Sequence, residues 1–177
     1  MMVNILNRVK CSTILLSLLF NSGFASAESV IEQDMSPTLT VQFEDQSNIQ
    51  ANQFLEETFR AFIDRDKSHL KSMISESFVQ KFGDDKNTHD EFIQHASVLS
   101  EQLTRMDIVF EDVNVDADGT VSEIHTVEVT KNDGSRAKFK LYAFYYFDHM
   151  GMIKLIDELS IQIEGAAEDQ DMGSRKR

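Results

Sequence analysis

The sequence has 177 residues, a formal net charge of −13 at pH 7 and a single cysteine, Cys11. A chain this acidic repels phosphate backbones and anionic lipid surfaces, so nucleic acid is excluded as an expected partner. Cys11 lies in a segment that we expect to be removed, so neither a disulfide nor a thiol nucleophile is expected in the mature chain.

The first 27 residues have the pattern of a signal peptide. Arg8 and Lys10 form a short positive region before the apolar run CSTILLSLLF, and ASA at positions 25–27 supplies the small residues that precede a cleavage site. The apolar run is shorter than the roughly 20 residues that a membrane-spanning helix needs. An uncleaved membrane anchor is the alternative. We expect cleavage after Ala27, which takes the net charge from −13 to −15, and a periplasmic or secreted protein with no stable membrane insertion.

Two polar segments flank the predicted folded domain, residues 47–165. Residues 28–46 contain the single proline, Pro37, and are expected to form an extended or disordered leader. The alternating stretch TLTVQF within this leader allows an edge strand. Residues 166–177 show no apolar periodicity, so this tail is predicted to be disordered.

Helical spacing of apolar residues predicts three helices at the start of the domain. Ser47 with Gln50 fits a capping box for the first helix, Asp66 is placed to cap a short second helix, and Thr88 with Glu91 forms the box of the third. The residues predicted to be buried are Ala51, Phe54, Leu55, Phe59, Phe62 and Ile63 in the first helix, Leu70, Met73 and Ile74 in the second, and Phe92, Ala96, Leu99 and Leu103 in the third.

From Arg105 onward the apolar period changes from helical to two, which predicts strands. Four alternating runs are separated by Asp118-Gly119, by NDG at 132–134 and by DHMG at 148–151. These turn residues tolerate the positive φ of tight hairpins. The pattern therefore predicts a four-stranded antiparallel meander with helices on one face, which is an α+β fold.

The order and spacing of these elements resemble the nuclear transport factor 2-like superfamily, specifically its SnoaL-like branch. Three stretches carry the resemblance: FRAFIDRDKSHLKSMISESFVQKFG, DEFIQHASVLSEQL and FYYFDHMGMIKLIDEL. The likeness covers roughly residues 47–165 and is one of pattern, because the superfamily has no universal catalytic motif. It implies a cone-shaped α+β roll of the cystatin-like class. In such a roll three N-terminal helices pack in a strongly curved antiparallel sheet, with a pocket at the open end.

Alternation along AKFKLYAFYYF assigns the two faces of one strand. Phe139, Leu141, Ala143, Tyr145 and Phe147 are predicted to face the core, and Tyr142, Phe144 and Tyr146 to face outward. Three outward aromatic side chains suggest a contact surface. Because members of the resembled family often dimerise through the outer face of the sheet, we expect a homodimer through these three residues; coverage by the leader strand is the alternative.

Relatives of this fold that catalyse isomerisation, cyclisation or dehydration place an acid–base group with tyrosine partners inside the cone. The weak candidates here are Glu158, His95 and His125, with Tyr145 as a partner. A buried row of Leu155, Leu159 and Ile161 would point Glu158 to solvent, although Ile156 and Ser160 share its face. His95 lies at the edge of the third helix's stripe, and His125 shares its strand face with Glu123.

The predicted pocket lining is mostly apolar: Phe59, Phe62, Phe92, Leu99, Tyr145 and Leu155. This favours a non-catalytic protein that binds an apolar small molecule or serves an accessory role; an acid–base enzyme and a scaffold subunit of an envelope or secretion assembly are the alternatives. No cofactor is expected. Asn114–His125 resembles a calcium loop, but its twelfth position is histidine instead of glutamate, so no metal is predicted.

Overall fold

The computed structural model describes residues 35–172, so the predicted signal peptide and the beginning of the leader lie outside the described residues. The described part contains three α-helices and seven strands. In chain order they are β1 (Thr38–Phe43), α1 (Ile49–Ile63), α2 (Ser68–Met73), β2 (Ile74–Phe82), β3 (Asp85–Thr88), α3 (His89–Gln102), β4 (Leu103–Val115), β5 (Val121–Lys131), β6 (Arg136–Phe147), β7 (Ile153–Glu164) and a 3-10 helix (Ala167–Asp171). None of the helices in this part of the chain is long and apolar enough to cross a membrane.

The strands form one curved, open sheet in the order β1-β4-β5-β6-β7-β2-β3. The predicted antiparallel meander is confirmed as β4 to β7, and glycines with positive φ occupy its turns: Gly119, Gly134 and Gly151. The sheet as a whole is mixed, which corrects the expectation of a purely antiparallel one. β1 pairs in parallel with β4, and β2 pairs in parallel with β7. Both parallel pairs join strands that are far apart in sequence, with helices between them.

Strands β2 and β3 form a hairpin that the sequence pattern does not reveal. Ile74 was assigned to the second helix, but it is the first residue of β2. The pairing of β2 with β7 shifts register between Ile74 and Val79, so the alternation of buried and exposed side chains is interrupted. A short strand without clean alternation cannot be recognised from periodicity.

The helix caps agree with the prediction in one case and differ in another. The Glu91 carboxylate accepts a hydrogen bond from the Thr88 backbone N–H at 2.9 Å, as a capping box requires. The predicted box of Ser47 and Gln50 is wrong, because α1 has Asn48 as its N-cap. The Asn48 side-chain amide donates instead to the Val113 carbonyl at 2.8 Å and ties the start of α1 to β4.

Aromatic side chains of α1 pack against the inner face of the sheet. The Phe54 ring lies 5.6 Å from Tyr145 and 5.2 Å from Phe147 on β6, and the Phe59 ring lies 5.7 Å from Phe110 on β4 (centroid distances). On β6 the predicted inner residues Phe139, Leu141, Ala143 and Tyr145 are buried. The predicted outer residue Phe144 is 46% exposed, which matches its assignment to the other face.

The faces of β7 are the reverse of the expected ones. Leu159 and Ile161 are 53% and 48% exposed, whereas Ile156 is buried and Glu158 shares its inward face. The cause is a β-bulge: Tyr146 pairs with Leu155 and Phe147 pairs with Ile153, so Lys154 is an extra residue on β7. An alternation extrapolated from Ile153 therefore assigns the rest of the strand to the wrong face.

Within the tail that was predicted to be disordered, residues 166–177, the described part contains the 3-10 helix Ala167–Asp171, and residues 173–177 lie outside the described residues. The buried Asp169 carboxylate accepts a hydrogen bond from Lys131 Nζ at 2.9 Å and another from the Ala166 backbone N–H at 3.0 Å. The Gln162 side chain donates to the Ala166 carbonyl at 2.8 Å. These contacts are polar, so the spacing of apolar residues does not predict them.

Candidate functional site

A cavity of about 70 Å³ lies between α1, α3 and the inner face of the sheet. Its apolar lining is Phe59, Phe62, Phe92, Leu99, Leu103, Met106, Val127, Val129, Phe139, Leu141, Ile156 and Met172, and its polar lining is Thr58, Gln80, His125, Tyr145 and Glu158. Five of the six residues predicted to line a pocket lie here. The sixth, Leu155, does not, because the bulge of β7 places Ile156 on the inward face.

His125 and Glu123 form a buried pair on β5. His125 Nδ1 lies 2.8 and 2.9 Å from the two Glu123 carboxylate oxygens, and both side chains are at most 1% exposed. A carboxylate only accepts, so the Nδ1 atom carries a hydrogen. The Nε2 atom is buried and has no hydrogen-bond partner among the described residues. His125, which lines the cavity, therefore has one ring nitrogen held by Glu123 and one without a partner.

Aromatic rings hold the His125 imidazole in place. The Phe59 ring on α1 and the Phe110 ring on β4 lie 5.1 and 5.2 Å from it, centroid to centroid. The Tyr145 hydroxyl approaches the same Glu123 carboxylate at 3.4 Å. Burial, followed by the charges of Glu123 and Glu158, raises the Tyr145 pKa well above its usual value, so this phenol stays protonated. Tyr145 is thus a second hydrogen-bond donor to the Glu123 carboxylate, in addition to His125 Nδ1.

Glu158 on β7 lines the cavity on the other side of β6. Its carboxylate accepts a hydrogen bond from Gln80 Nε2 at 3.0 Å. Burial is the main cause that raises the Glu158 pKa to about 8, with the Glu123 charge adding to it and the Gln80 hydrogen bond opposing it. The expectation that Glu158 points to solvent is therefore wrong. At pH 7 this carboxyl group is mostly protonated.

Glu123 and Glu158 lie on either side of the same residue, Ala143 on the strand β6 between them. Both residues pair with Ala143, one from β5 and the other from β7. Their Cα atoms are thus two strand spacings, roughly 10 Å, apart. Ala143 carries only a methyl group on this inner face, so no larger side chain separates the two carboxyl groups. This explains why the charge of Glu123 disfavours ionisation of Glu158.

His95, the third predicted candidate, is buried on α3 but does not line the cavity. Its ring lies 6.1 Å from Phe62, and it hydrogen-bonds the Met172 backbone. Burial lowers the His95 pKa to about 4, so the imidazole is neutral near pH 7. This histidine joins α3 to the C-terminal segment, whose Met172 side chain closes part of the cavity wall.

No family model matches the chain. An uncharacterized protein of Schizosaccharomyces pombe, C11D3.04c, is 32% identical over 123 residues, which cover 68% of this chain and 93% of that protein. Among solved structures, an NTF2-like protein of unknown function from Exiguobacterium sp. 255-15 superposes with a TM-score of 0.50 at 15% identity, over 63% of this chain and 98% of that one. The chain belongs to one family with this S. pombe protein, and it has the fold of the NTF2-like structure.

Two further solved structures of similar fold are named as enzymes. AclR of Streptomyces galilaeus, a proposed hydroxylase, has a TM-score of 0.56 at 14% identity and covers 74% of this chain and 89% of its own. SalBIII, described as epoxide hydrolase/cyclase-like and linked to pyran ring formation in salinomycin, has a TM-score of 0.52 at 16% identity and covers 66% and 95%. At these identities the likeness concerns the fold.

Three of the residues named as acid–base candidates or their partner line the same cavity: His125, Tyr145 and Glu158. Glu123 and Gln80, which hold them, were not among the candidates. The spacing of Glu123 two residues before His125 was the available signal, because residues i and i+2 of a strand share a face. The calcium-like stretch forms the β4–β5 turn, where Asp118 accepts a hydrogen bond from the Thr120 backbone N–H.

Proposed function

We propose that this protein is an enzyme that transfers protons on a small, largely apolar and uncharged substrate held in the cavity. The observation that carries the proposal is the His125 side chain, which lines the cavity and has a buried Nε2 without a hydrogen-bond partner among the described residues, while its Nδ1 is held by the buried Glu123 carboxylate. Isomerisation, cyclisation and dehydration are the reactions of this kind that need no bound cofactor.

In this proposal His125 is the general base. Glu123 holds the tautomer that presents the Nε2 lone pair and stabilises the imidazolium formed when a substrate proton is taken up. The surrounding Phe59 and Phe110 rings exclude water from the pair. A base held in one orientation beside an apolar wall is arranged for proton abstraction from carbon or oxygen.

Glu158 is the general acid. Its pKa of about 8 keeps it protonated at neutral pH, so it can donate to an oxygen on which negative charge develops. Tyr145, on the strand between the base and the acid, directs its single hydroxyl hydrogen at Glu123 and so supports the base. One donor and one acceptor around an apolar cavity suit a substrate with a carbonyl or hydroxyl oxygen.

The charges at the cavity argue for an uncharged substrate. Among the described residues its lining contains no arginine or lysine, and the Glu123 carboxylate is buried beside the lining residue His125. A phosphate or carboxylate ligand would find no positive partner there, and burying an unpaired charge is costly. We therefore expect neutral ligands to bind and their acidic analogues to be rejected.

Deuterium exchange into a simple ketone tests the proposal without knowledge of the natural substrate. The protein is incubated with cyclopentanone in deuterated buffer at pH 7, and loss of the α-proton signal is followed by NMR. His125 Nε2 takes an α-proton, the enolate oxygen accepts a hydrogen bond from Glu158, and return of a deuteron completes the exchange. We expect wild-type protein to accelerate exchange and His125→Gln to lose on the order of 100-fold of that rate.

His69→Gln is the matched control, because His69 is a half-exposed histidine on α2 whose ring nitrogen Nε2 contacts the exposed Glu57. It should exchange at the wild-type rate. Equal rates for wild type, His125→Gln and buffer would refute the enzymatic proposal for this class of substrate.

A non-catalytic binding protein is the second candidate, and the mostly apolar lining favours it. It predicts that cyclopentanone shifts the NMR signals of cavity residues without any exchange above buffer. The same experiment therefore separates the two candidates.

We further propose a homodimer through the outer face of the sheet. Tyr142 pairs with Ile124 and Leu159 on the neighbouring strands, and the exposed Phe144 and Ile161 extend this apolar patch. A second copy is the occupant we favour, since the patch lies on the broad outer surface of three adjacent strands. Light scattering should give twice the monomer mass, and Leu159→Asp should give the monomer.

We also propose that the protein is exported, because residues 1–27 have the pattern of a signal peptide. N-terminal sequencing of the protein recovered from its source should begin at Glu28. Recovery of intact Met1 in the soluble fraction would contradict it.

A further inference from the structure

Three polar side chains, of which two are buried and Glu158 is half-buried, form a hydrogen-bonded line, the amide line, from the edge of the sheet to the cavity. Asn87 on β3 donates from Nδ2 to Gln80 Oε1 at 2.8 Å, and Gln80 on β2 donates from Nε2 to Glu158 Oε1 at 3.0 Å. Asn87 and Gln80 are 1% and 3% exposed. Amide groups this deeply buried require partners, and here each one partners the next.

The direction of these bonds has a chemical consequence. Because Asn87 donates to the Gln80 oxygen, the Gln80 amide turns its NH₂ group toward Glu158. An NH₂ group only donates, so Glu158 Oε1 must act as an acceptor. A neutral carboxyl group has one oxygen that carries the proton and one that does not. The amide line therefore assigns the proton to Oε2.

We propose that Asn87 and Gln80 are positioning residues that hold Glu158 with its proton on Oε2, the oxygen that Gln80 leaves free for a ligand. The inference rests on the proposed role of Glu158 as the general acid, and it adds which carboxyl oxygen of Glu158 carries the proton. Asn87 and Gln80 pair directly across β2 and β3, so the two amides are in fixed register. The β2–β3 hairpin thereby takes part in the site without Asn87 reaching the cavity.

Several charged and titratable groups act on Glu158 from the elements around it. Glu123 on β5 and Asp157 on β7 both favour its neutral form, and Gln80 favours its ionised form. Tyr145 on β6 and His125 on β5 line the same cavity. Gln80 is the group among these that donates a hydrogen bond to the Glu158 carboxylate, so its removal should raise the pKa of Glu158 further.

The test is an NMR titration of the glutamate side-chain carboxyl carbons in the intact protein, with the Glu158 signal assigned by its loss in Glu158→Gln. Gln80→Met keeps the length of the side chain and removes the donor. We expect the Glu158 midpoint to rise by about one pH unit, since a hydrogen bond to a charged group is lost. Asn87→Leu, which frees the Gln80 amide to turn its oxygen toward Glu158, should raise the midpoint by a smaller amount.

Asp157→Asn is the control: it removes a neighbouring negative charge without touching the amide line, and the midpoint should stay or fall. An unchanged midpoint in Gln80→Met, or in Asn87→Leu, overturns the proposal. Gln80→Leu and Asn87→Ala replace any variant that does not fold. The titration needs no substrate, so its result is independent of the ketone-exchange experiment. An unchanged midpoint with ketone exchange present would overturn only the positioning role of the two amides. A shifted midpoint without ketone exchange would overturn only the enzymatic proposal.

Discussion

The raised pKa of Glu158 makes a specific prediction about stability and pH. Glu158 has a folded-state pKa raised from its ordinary 4.5 to about 8. The native state therefore holds this proton more tightly than the unfolded chain does between these two values. The stabilisation is fully present below about pH 4.5 and is lost as the pH rises through about 8. Replacing Glu158 by the neutral isostere glutamine removes this dependence and keeps an oxygen that can accept from Gln80.

The magnitude follows from the width of the window. A shift of about 3.5 pH units, at about 1.4 kcal/mol for each unit, corresponds to about 5 kcal/mol. We expect wild type and Glu158→Gln to differ by no more than about 1 kcal/mol in free energy of unfolding at pH 5. At pH 9 the variant should be more stable by up to about 5 kcal/mol.

Urea unfolding of both proteins, followed by circular dichroism at several pH values from 5 to 9, measures this difference. Glu164→Gln, an exposed glutamate at the end of the same strand, is the control and should track wild type throughout. A difference between wild type and Glu158→Gln that stays constant from pH 5 to pH 9 would refute a buried carboxyl with a raised pKa.

Four further outcomes are expected. Ketone exchange by wild type should fall as the pH rises through about 8, because the neutral acid is lost, and the rate–pH profile measures this. Glu123→Gln should lower the exchange rate on the order of 100-fold, because a glutamine NH₂ facing Nδ1 favours the tautomer with its hydrogen on Nε2. The His95 pKa is about 4 in the folded state against an ordinary 6.5, so the free energy of unfolding decreases as the pH falls from 6.5 to 4. His95→Gln lacks this loss, and urea unfolding at pH 4 should show it to be more stable than wild type by about 3 kcal/mol. Asp169→Asn should reduce stability by about 1 kcal/mol and speed amide hydrogen exchange at Met172, measured by mass spectrometry.

Sequence periodicity predicted the part of the fold in which contacts are local in the chain. The meander β4 to β7 has short glycine turns and regular alternation, and the Thr88–Glu91 box lies within one helical turn. The parallel partners of β1 and β2 could not be predicted in the same way. Pairing across long connections depends on tertiary packing rather than on a local pattern.

The site residues that lie on elements with regular periodicity were predicted, and those that depend on an irregular strand or on contacts between strands were not. Tyr145 and the aromatic lining follow from helical and strand periods that continue without interruption. Glu158 was assigned outward because one extra residue, Lys154, breaks the alternation of β7. The roles of Glu123 and Gln80 depend on contacts between strands, which a single-strand pattern does not contain.

That extra residue has a consequence for how such a cavity can change over time. Shortening β7 by one position at Lys154 would straighten the strand and still leave the carboxyl of Glu158 pointing inward. Losing one position between Ile156 and Glu158 would instead turn that carboxyl to water. The carboxyl group of Glu158 could thus be withdrawn from the cavity wall or returned to it by a change in strand length, while Glu158 itself is retained in the sequence.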